Sequence, residues 1–269
     1  MHGKIQRKTM SRYLSGGVQW VRNWTGSRDY RDASLSSLPK DFESCFPFVV
    51  RRRSYNSWVR HTGRFDRRYP GTGLLTIDEA TIIYNYGLIL KPETVVEIGC
   101  WVGWSTAAWA LPGVRLIAID PILNGMPQGD SCRASLERFG LLSKVSLVGD
   151  YSQQALKMLA GSGVRAHGIF IDGDHQGDAP LQDAIAAQAI AADDCLITFH
   201  DMVLPNIGRA LSWLGEHGWL CGVHYTAQVI GVAWRGAIHP IHCQPDPEVD
   251  WSTLLRKRYP HLAAFRSLA

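Results

Sequence analysis

The sequence predicts an α/β chain built on a mostly parallel sheet covered on both faces. Three observations predict it. Short apolar runs rich in β-branched residues alternate with helical patterns from residue 94 to residue 215. That alternation implies right-handed crossovers and strands buried on both sides. A turn bounded by Gly99 and Gly103 joins the first run to the helix after it, an arrangement that lets backbone approach a nucleotide-like ligand. Residues 219–225 and 228–234 are two β-like runs with only a short turn between them, so they pair antiparallel.

At 269 residues, 46% of them hydrophobic, the chain holds enough material for one α/β core and an added segment. Residues 1–75 have weak periodicity and are expected to form a cap or arm; 76–239 form the core and 240–269 a tail. In the arm, 13–24 reads as a short helix broken by Gly16-Gly17. Residues 34–39 read as a linker, and 46–53 as a strand or extended arm followed by a loop to Gly73. The core opens on Thr76-Ile77-Asp78-Glu79, the spacing of a capping box. A helix to about Leu88 follows, closed by Gly87 and the nearby Pro92. Strands are then expected at 94–98, 115–119, 145–150, 168–172 and 195–199, with helices from 104 and near 131–139, 153–160, 180–192 and 207–215. The tail is proline-rich, then helical around 251–258.

No run of 18 apolar residues occurs, so no membrane span is expected. The basic start lacks the apolar stretch of a secretion signal. Six scattered cysteines without Cys-x-x-Cys pairs read as reduced thiols of a cytoplasmic protein. The net charge of +4 hides an asymmetry. Residues 1–75 carry 15 Lys/Arg against 5 Asp/Glu, the remainder 13 against 19. A basic arm on an acidic body fits an anionic partner, or a solvated or subunit-facing surface in a homo-oligomer. Trp20, Trp24, Tyr55 and Trp58, interleaved with arginines, could stack on nucleic-acid bases, but ordinary contacts with the body are the simpler reading.

Ligands of open α/β sheets gather outside the carboxyl ends of the strands. There the sequence places Glu97, Gly99, Asp120, Asp150, Asp172 with Gly173-Asp174-His175, and His200-Asp201. Trp101 stands where a dinucleotide fingerprint needs its second glycine, and no third glycine follows. Glu97 and Asp120, 23 residues apart, would repel a pyrophosphate but tolerate a cationic sulfonium carrying a ribose diol. Residues 95–105 thus resemble the S-adenosylmethionine (SAM) site of class I methyltransferases, and Gly149-Asp150-Tyr151-Ser152 resembles their adenine segment. Phe170-Ile171-Asp172-Gly173-Asp174-His175 and Phe199-His200-Asp201 resemble a narrower group: sugar and small-molecule O-methyltransferases of antibiotic pathways with their cephalosporin-hydroxylase-like relatives. The resemblance covers about residues 76–235.

It implies a Rossmann-like fold whose seven-stranded, mostly parallel sheet ends in an antiparallel hairpin, with SAM as cofactor. Glu97 would lie near the amino-acid end of SAM and Asp120 on its ribose. Gly99, Trp101, Gly103, Ser105, Asp150, Tyr151 and Asp172 would complete the pocket. The implied reaction is methylation of a hydroxyl on a small metabolite, a sugar or natural-product scaffold, with anionic acceptors included. Asp172, His200 and Asp201 would hold a divalent metal. His175 would be the general base, with Asp172 and His200 beside it. Those relatives carry an acid where this chain has His200, so Mg²⁺ loses an oxygen ligand; imidazole suits Mn²⁺, Fe²⁺ or Zn²⁺ better. A metal-free site with two histidines sharing the proton work is the alternative. A non-catalytic SAM-binding sensor would need none of Asp172, His175 and Asp201, and an oxygenase-like reaction on the same fold is a third reading. Asp-Gly-Asp-His after the fourth core strand argues against nucleic-acid base methylation, which typically uses Asn/Asp-Pro-Pro-Tyr/Phe there.

Overall fold

A computed structural model describes residues 29–54, 59 and 61–269. The expected helix over 13–24 and the aromatics Trp20, Trp24, Tyr55 and Trp58 lie outside the described residues. Five parallel strands form the centre: β4 (Thr94–Ile98), β5 (Arg115–Ile119), β6 (Val145–Val148), β7 (Ala166–Ile171) and β8 (Ala191–Phe199). The hairpin of β9 (Leu220–His224) and β10 (Ile230–Arg235) closes the sheet, with β10 antiparallel to both β9 and β8. An eighth, two-residue strand, β11 (Arg266–Ser267), lies parallel to β9. The tail thus adds one strand to the seven expected, giving the order β11-β9-β10-β8-β7-β4-β5-β6.

Alternation along the strands builds two cores. Val95, Leu116, Phe170 and Leu196 face one, beneath α1 (Ile77–Leu90), α2 (Trp104–Ala110) and α3 (Pro127–Arg138). Val96, Ile169 and Ile197 face the other, beneath α4 (Ser152–Gly161), α5 (Ala179–Ala187) and α6 (Pro205–Glu216). The capping box at Thr76 forms in both directions. Gly87 lies inside α1, which runs to Leu90. The helix expected over 180–192 stops at Ala187, and Ala191 already opens β8. The alanine-rich stretch carries neither period clearly enough to mark that boundary.

Among the described residues of the arm, a stretch without clear periodicity is strand. β1 (Val49–Ser54), β2 (His61–Asp66) and β3 (Gly73–Leu74) form a separate antiparallel sheet in that order. Part of the expected loop is therefore strand. His-Thr-Gly-Arg-Phe-Asp shows no apolar alternation because its inward positions are charged and paired. Arg64 is fully buried against Asp29 and Glu43, and the buried Asp66 meets Arg68 at 2.6 Å. Upstream, the Phe42 and Phe46 rings each lie 4.9 Å from Trp104. Each of these buried aromatics contributes about 1.5–3 kcal/mol, which anchors the arm to the glycine-turn unit. In the tail, Asp250 caps α7 (Trp251–Lys257) by accepting from the Thr253 N–H at 3.0 Å. Among the described residues no helix is long and apolar enough to cross a membrane.

Candidate active site

The chain runs outward from β4 to β6 and then returns to the other side of β4 through β7 and β8. A crevice opens where that order reverses. It has a volume of about 580 Å³, enough for a small organic ligand.

One half is the turn after β4. Gly99 takes a φ of 86°. A Cβ there would lie 2.3 Å from the Asp172 carbonyl oxygen, so the ends of β4 and β7 meet at a spacing only glycine allows. Trp101 holds a φ of 44°, a costly conformation for a bulky residue. Its indole packs edge-on against Tyr69 at 5.5 Å, and its Nε1 is buried without a partner. Asp120 braces the turn. Its Oδ2 accepts from the N–H groups of Cys100 (3.0 Å) and Trp101 (3.1 Å), and its Oδ1 from Ile122 (3.1 Å). Ser105 and the largely exposed Tyr151 complete this half of the lining.

Three residues expected at the cofactor do not line the crevice. Glu97 alternates with Val96 and Ile98 and so points towards the α2 side, fully buried, with neither oxygen hydrogen-bonded. Burial pushes its carboxyl up to about 8; Asp172 and Asp120 add to the rise, while the Ser105 and Thr106 hydroxyls oppose it. Gly103 instead gives α2 room against α3, since a Cβ would stand 3.1 Å from the Cys132 Sγ. Asp150 is exposed and accepts from the Tyr151 N–H at 2.7 Å.

The other half of the crevice gathers Asp172, His175, His200 and Asp201. His175 Nε2 lies 3.3 Å from Asp172 Oδ1, and its Nδ1 lies 3.3 Å from Asp201 Oδ2. His200 Nδ1 faces the same two oxygens at 3.3 and 3.5 Å. Asp172, His175 and Asp201 each offer a ligand atom within 4.8 Å of the others. The trio therefore includes His175, where the sequence suggested His200. On the far side of the His200 ring, Nε2 lies 3.2 Å from Glu79 Oε2. Two carboxylates and imidazole nitrogen form a donor set that fits a divalent cation.

The charges here are mutually dependent. Burial alone would raise the Asp172 and Glu79 carboxyls; the His200 charge and hydrogen bonds, joined by His175 at Asp172 and by the Thr76 and Gln228 N–H groups at Glu79, together bring each down to about 2. Burial alone would lower the His200 pKa, and Asp201, Asp172 and Glu79 raise it instead. His175 is likewise raised by Asp172 and Asp201 against burial and the repulsion of His200.

Sequence reasoning missed four parts of this site. Glu79 was legible only as a helix cap. Gln228, from the β9–β10 turn, and Thr72–Leu75 around β3 line the crevice without any local signature. Asp183 was findable. It lies on the buried stripe of α5 with Pro180, Ala184 and Ala187, and an acid on an apolar stripe signals a partner. It accepts from Ser152 Oγ at 2.6 Å and Gln153 Nε2 at 2.8 Å.

Five parallel strands closed by an antiparallel hairpin, with a glycine turn after the first of them, make a Rossmann-like methyltransferase fold. A family model described as a methyltransferase domain matches residues 96–202, from within β4 to just past Asp201. Residues 96–202 thus carry a methyltransferase domain. Solved structures agree on the fold. An O-methyltransferase from Bacillus cereus in complex with S-adenosylhomocysteine superposes with a TM-score of 0.53 at 14% identity, over 60% of this chain and 83% of that one. A methyltransferase from Geobacter sulfurreducens gives 0.51 at 20% identity, over 63% and 82%. An O-methyltransferase from Streptomyces achromogenes involved in tomaymycin synthesis, in complex with SAM, gives 0.51 at 14% identity, over 61% and 82%. No curated protein sequence matches the chain.

Proposed function

We propose that the protein moves the methyl group of SAM to a hydroxyl of a small metabolite, a sugar or natural-product scaffold. The observation that carries this reading is the meeting of the braced glycine turn and the Asp172–His175–Asp201 cluster in one crevice. In this reading Gly99, Trp101, Ser105 and Tyr151 contact SAM and Asp120 takes its ribose. The reaction is an in-line displacement: the O–CH₃ bond forms as the S–CH₃ bond breaks, and the electron pair of the broken bond stays on sulfur. The donor is already activated, so the protein aligns the acceptor and removes its proton. His175 is the residue placed to take it. Its ring spans Asp172 and Asp201, which hold its orientation and stabilise the proton once it arrives. Asp172 and Asp201, with imidazole nitrogen from His175 or His200, would hold a divalent cation. Such an ion, when bound, lowers the pKa of a hydroxyl and neutralises the two carboxylates.

The charge of the crevice narrows the acceptor. Asp120, Asp172, Asp174, Asp183 and Asp201 line it, with no lysine or arginine among the described lining residues. Several arginines of the arm are already matched: Arg51 to Glu43, Arg64 to Asp29 and Glu43, Arg68 to Asp66. A neutral polyhydroxylated or amine-bearing acceptor suits this field better than a phosphorylated one. A SAM-binding sensor has no use for the cluster.

Incubation with methyl-labelled SAM and a panel of glycosides, amino sugars and nucleotide-sugars tests the reading, with labelled ether product expected from the first two. Replacing His175 by Ala is expected to leave SAM affinity near its original value and to cut turnover about 100-fold or more. Unchanged turnover would remove His175 from the mechanism.

A further inference from the structure

Glu79 has no assignment in the mechanism above. It lies in the first turn of α1, before the matched domain and 121 residues from His200. Its capping duty uses Oε2, which accepts from the Thr76 N–H at 2.8 Å. Yet the whole side chain is buried, and a buried carboxylate is costly unless partners surround it. The partners are on the crevice wall: Oε1 accepts from the Gln228 N–H at 2.8 Å, and Oε2 faces His200 Nε2 at 3.2 Å.

We propose that Glu79 is a positioning residue, fixing the His200 ring so that Nδ1 is presented to Asp172 and Asp201 as a nitrogen donor for a divalent cation. This rests on the reading of the cluster as a cation-assisted methyl-transfer centre. An ionised carboxylate only accepts hydrogen bonds, so the ring nitrogen facing Glu79 carries the hydrogen. The opposite nitrogen faces Asp172 Oδ1 and Asp201 Oδ2, 3.3 and 3.5 Å away, and a cation seated among them takes the place of its hydrogen. The His200 side chain is only 8% exposed, which leaves the ring little room to turn over. The adjoining Asp201 is held at a φ of 55°, a left-handed conformation kept by a non-glycine residue beside the site. Carboxylate behind imidazole is the arrangement that orients ligating histidines and fixes their tautomer. Two carboxylates plus a fixed imidazole favour Co²⁺, Mn²⁺ or Zn²⁺ over Mg²⁺. Glu79 thereby helps set which metal the centre accepts.

The test uses the full chain and measures Co²⁺ and Mg²⁺ binding by calorimetry, the visible absorption of bound Co²⁺, and SAM binding in parallel. Glu79→Gln is expected to weaken Co²⁺ about 10–100-fold, to alter its absorption band, and to change Mg²⁺ less. Adding His200→Asp to that variant is expected to shift the preference towards Mg²⁺. A folded Glu79→Gln protein with the Co²⁺ affinity and band of the original would overturn the assignment, as would an original protein that binds SAM but no Co²⁺. Ring ¹⁵N spectra of the unaltered protein decide the matter without a variant. With Zn²⁺ added, a metal-shifted Nδ1 and a protonated Nε2 on His200 support the proposal; the opposite tautomer, or an unshifted ring, overturns it. A protein that binds Co²⁺ as expected but no SAM would sink the methyl-transfer reading instead.

Discussion

Glu97 makes a quantitative prediction because it is an acid fully buried at the centre of the sheet. Its carboxyl is pushed from 4.5 up to about 8, first by burial and then by Asp172 and Asp120. Between those two pH values the folded state holds a proton that the unfolded chain has released. Stability contributed by the protonated form is therefore present below pH 4.5 and is lost as pH rises towards 8. Each pH unit in that window costs about 1.4 kcal/mol. The accumulated loss is about 3 kcal/mol by pH 7 and about 4 kcal/mol by pH 8, levelling at about 5 kcal/mol above it. Glu97→Gln keeps the shape and cannot ionise, so it removes the slope. Urea unfolding of both proteins from pH 4.5 to 9 isolates the effect, because other titrating groups cancel in the difference. The variant is expected to gain on the original steadily towards pH 8 and to hold level about one unit above it. Parallel curves would refute a neutral Glu97 in the folded protein.

Three further perturbations address the turn and the arm. Asp120→Ala removes the acceptor of the Cys100, Trp101 and Ile122 N–H groups. Calorimetry is expected to show SAM affinity falling about 10–100-fold, the loss of one or two charge-assisted hydrogen bonds; equal affinity would place the ribose contact and the bracing elsewhere. Gly99→Ala puts a methyl group 2.3 Å from the Asp172 carbonyl oxygen at a φ of 86°. It is expected to cost about 3 kcal/mol or more, and a melting temperature like the original's would contradict the close approach of β4 and β7. Arg64→Met leaves Asp29 and Glu43 without the buried guanidinium. A loss of about 3–5 kcal/mol is expected in chemical unfolding, and a negligible one would show that the arm is held by its aromatics alone.

The parts of the molecule legible in the sequence were those in which a local pattern carries the physics. β-branched runs of four or five residues could only be buried strands, and Thr76-x-x-Glu79 could only start a helix. The Gly99–Gly103 spacing was readable because φ values near 86° exclude most side chains. The strand-end positions of Asp120, Asp172 and Asp201 followed from the topology, and all three reach the crevice. Glu97 and Asp150 sit at or just beyond strand ends too, and they do not. Glu97 turns to the other side of the pleat, and Asp150 turns back to its own neighbour's N–H. A strand end thus locates a residue to within one position, while the side-chain direction selects which carboxylates meet the ligand.

The remaining differences arise from pairing across long stretches of chain, which periodicity does not register. β2 looked like loop because Arg64 and Asp66 occupy inward positions, and only their partners make those positions habitable. The same effect accounts for part of the charge in the described residues of the basic arm: Glu43 engages both Arg51 and Arg64, and Asp66 engages Arg68. Glu79 is the sharpest instance. As a capping residue it could as well be glutamine, and what requires the charge is His200, at the far end of the matched domain. Glutamate in place of glutamine at position 79 therefore ties the start of α1 to the carboxylate–histidine cluster at the end of β8. Substitutions at the two positions should accordingly be non-additive in any property that depends on the His200 ring.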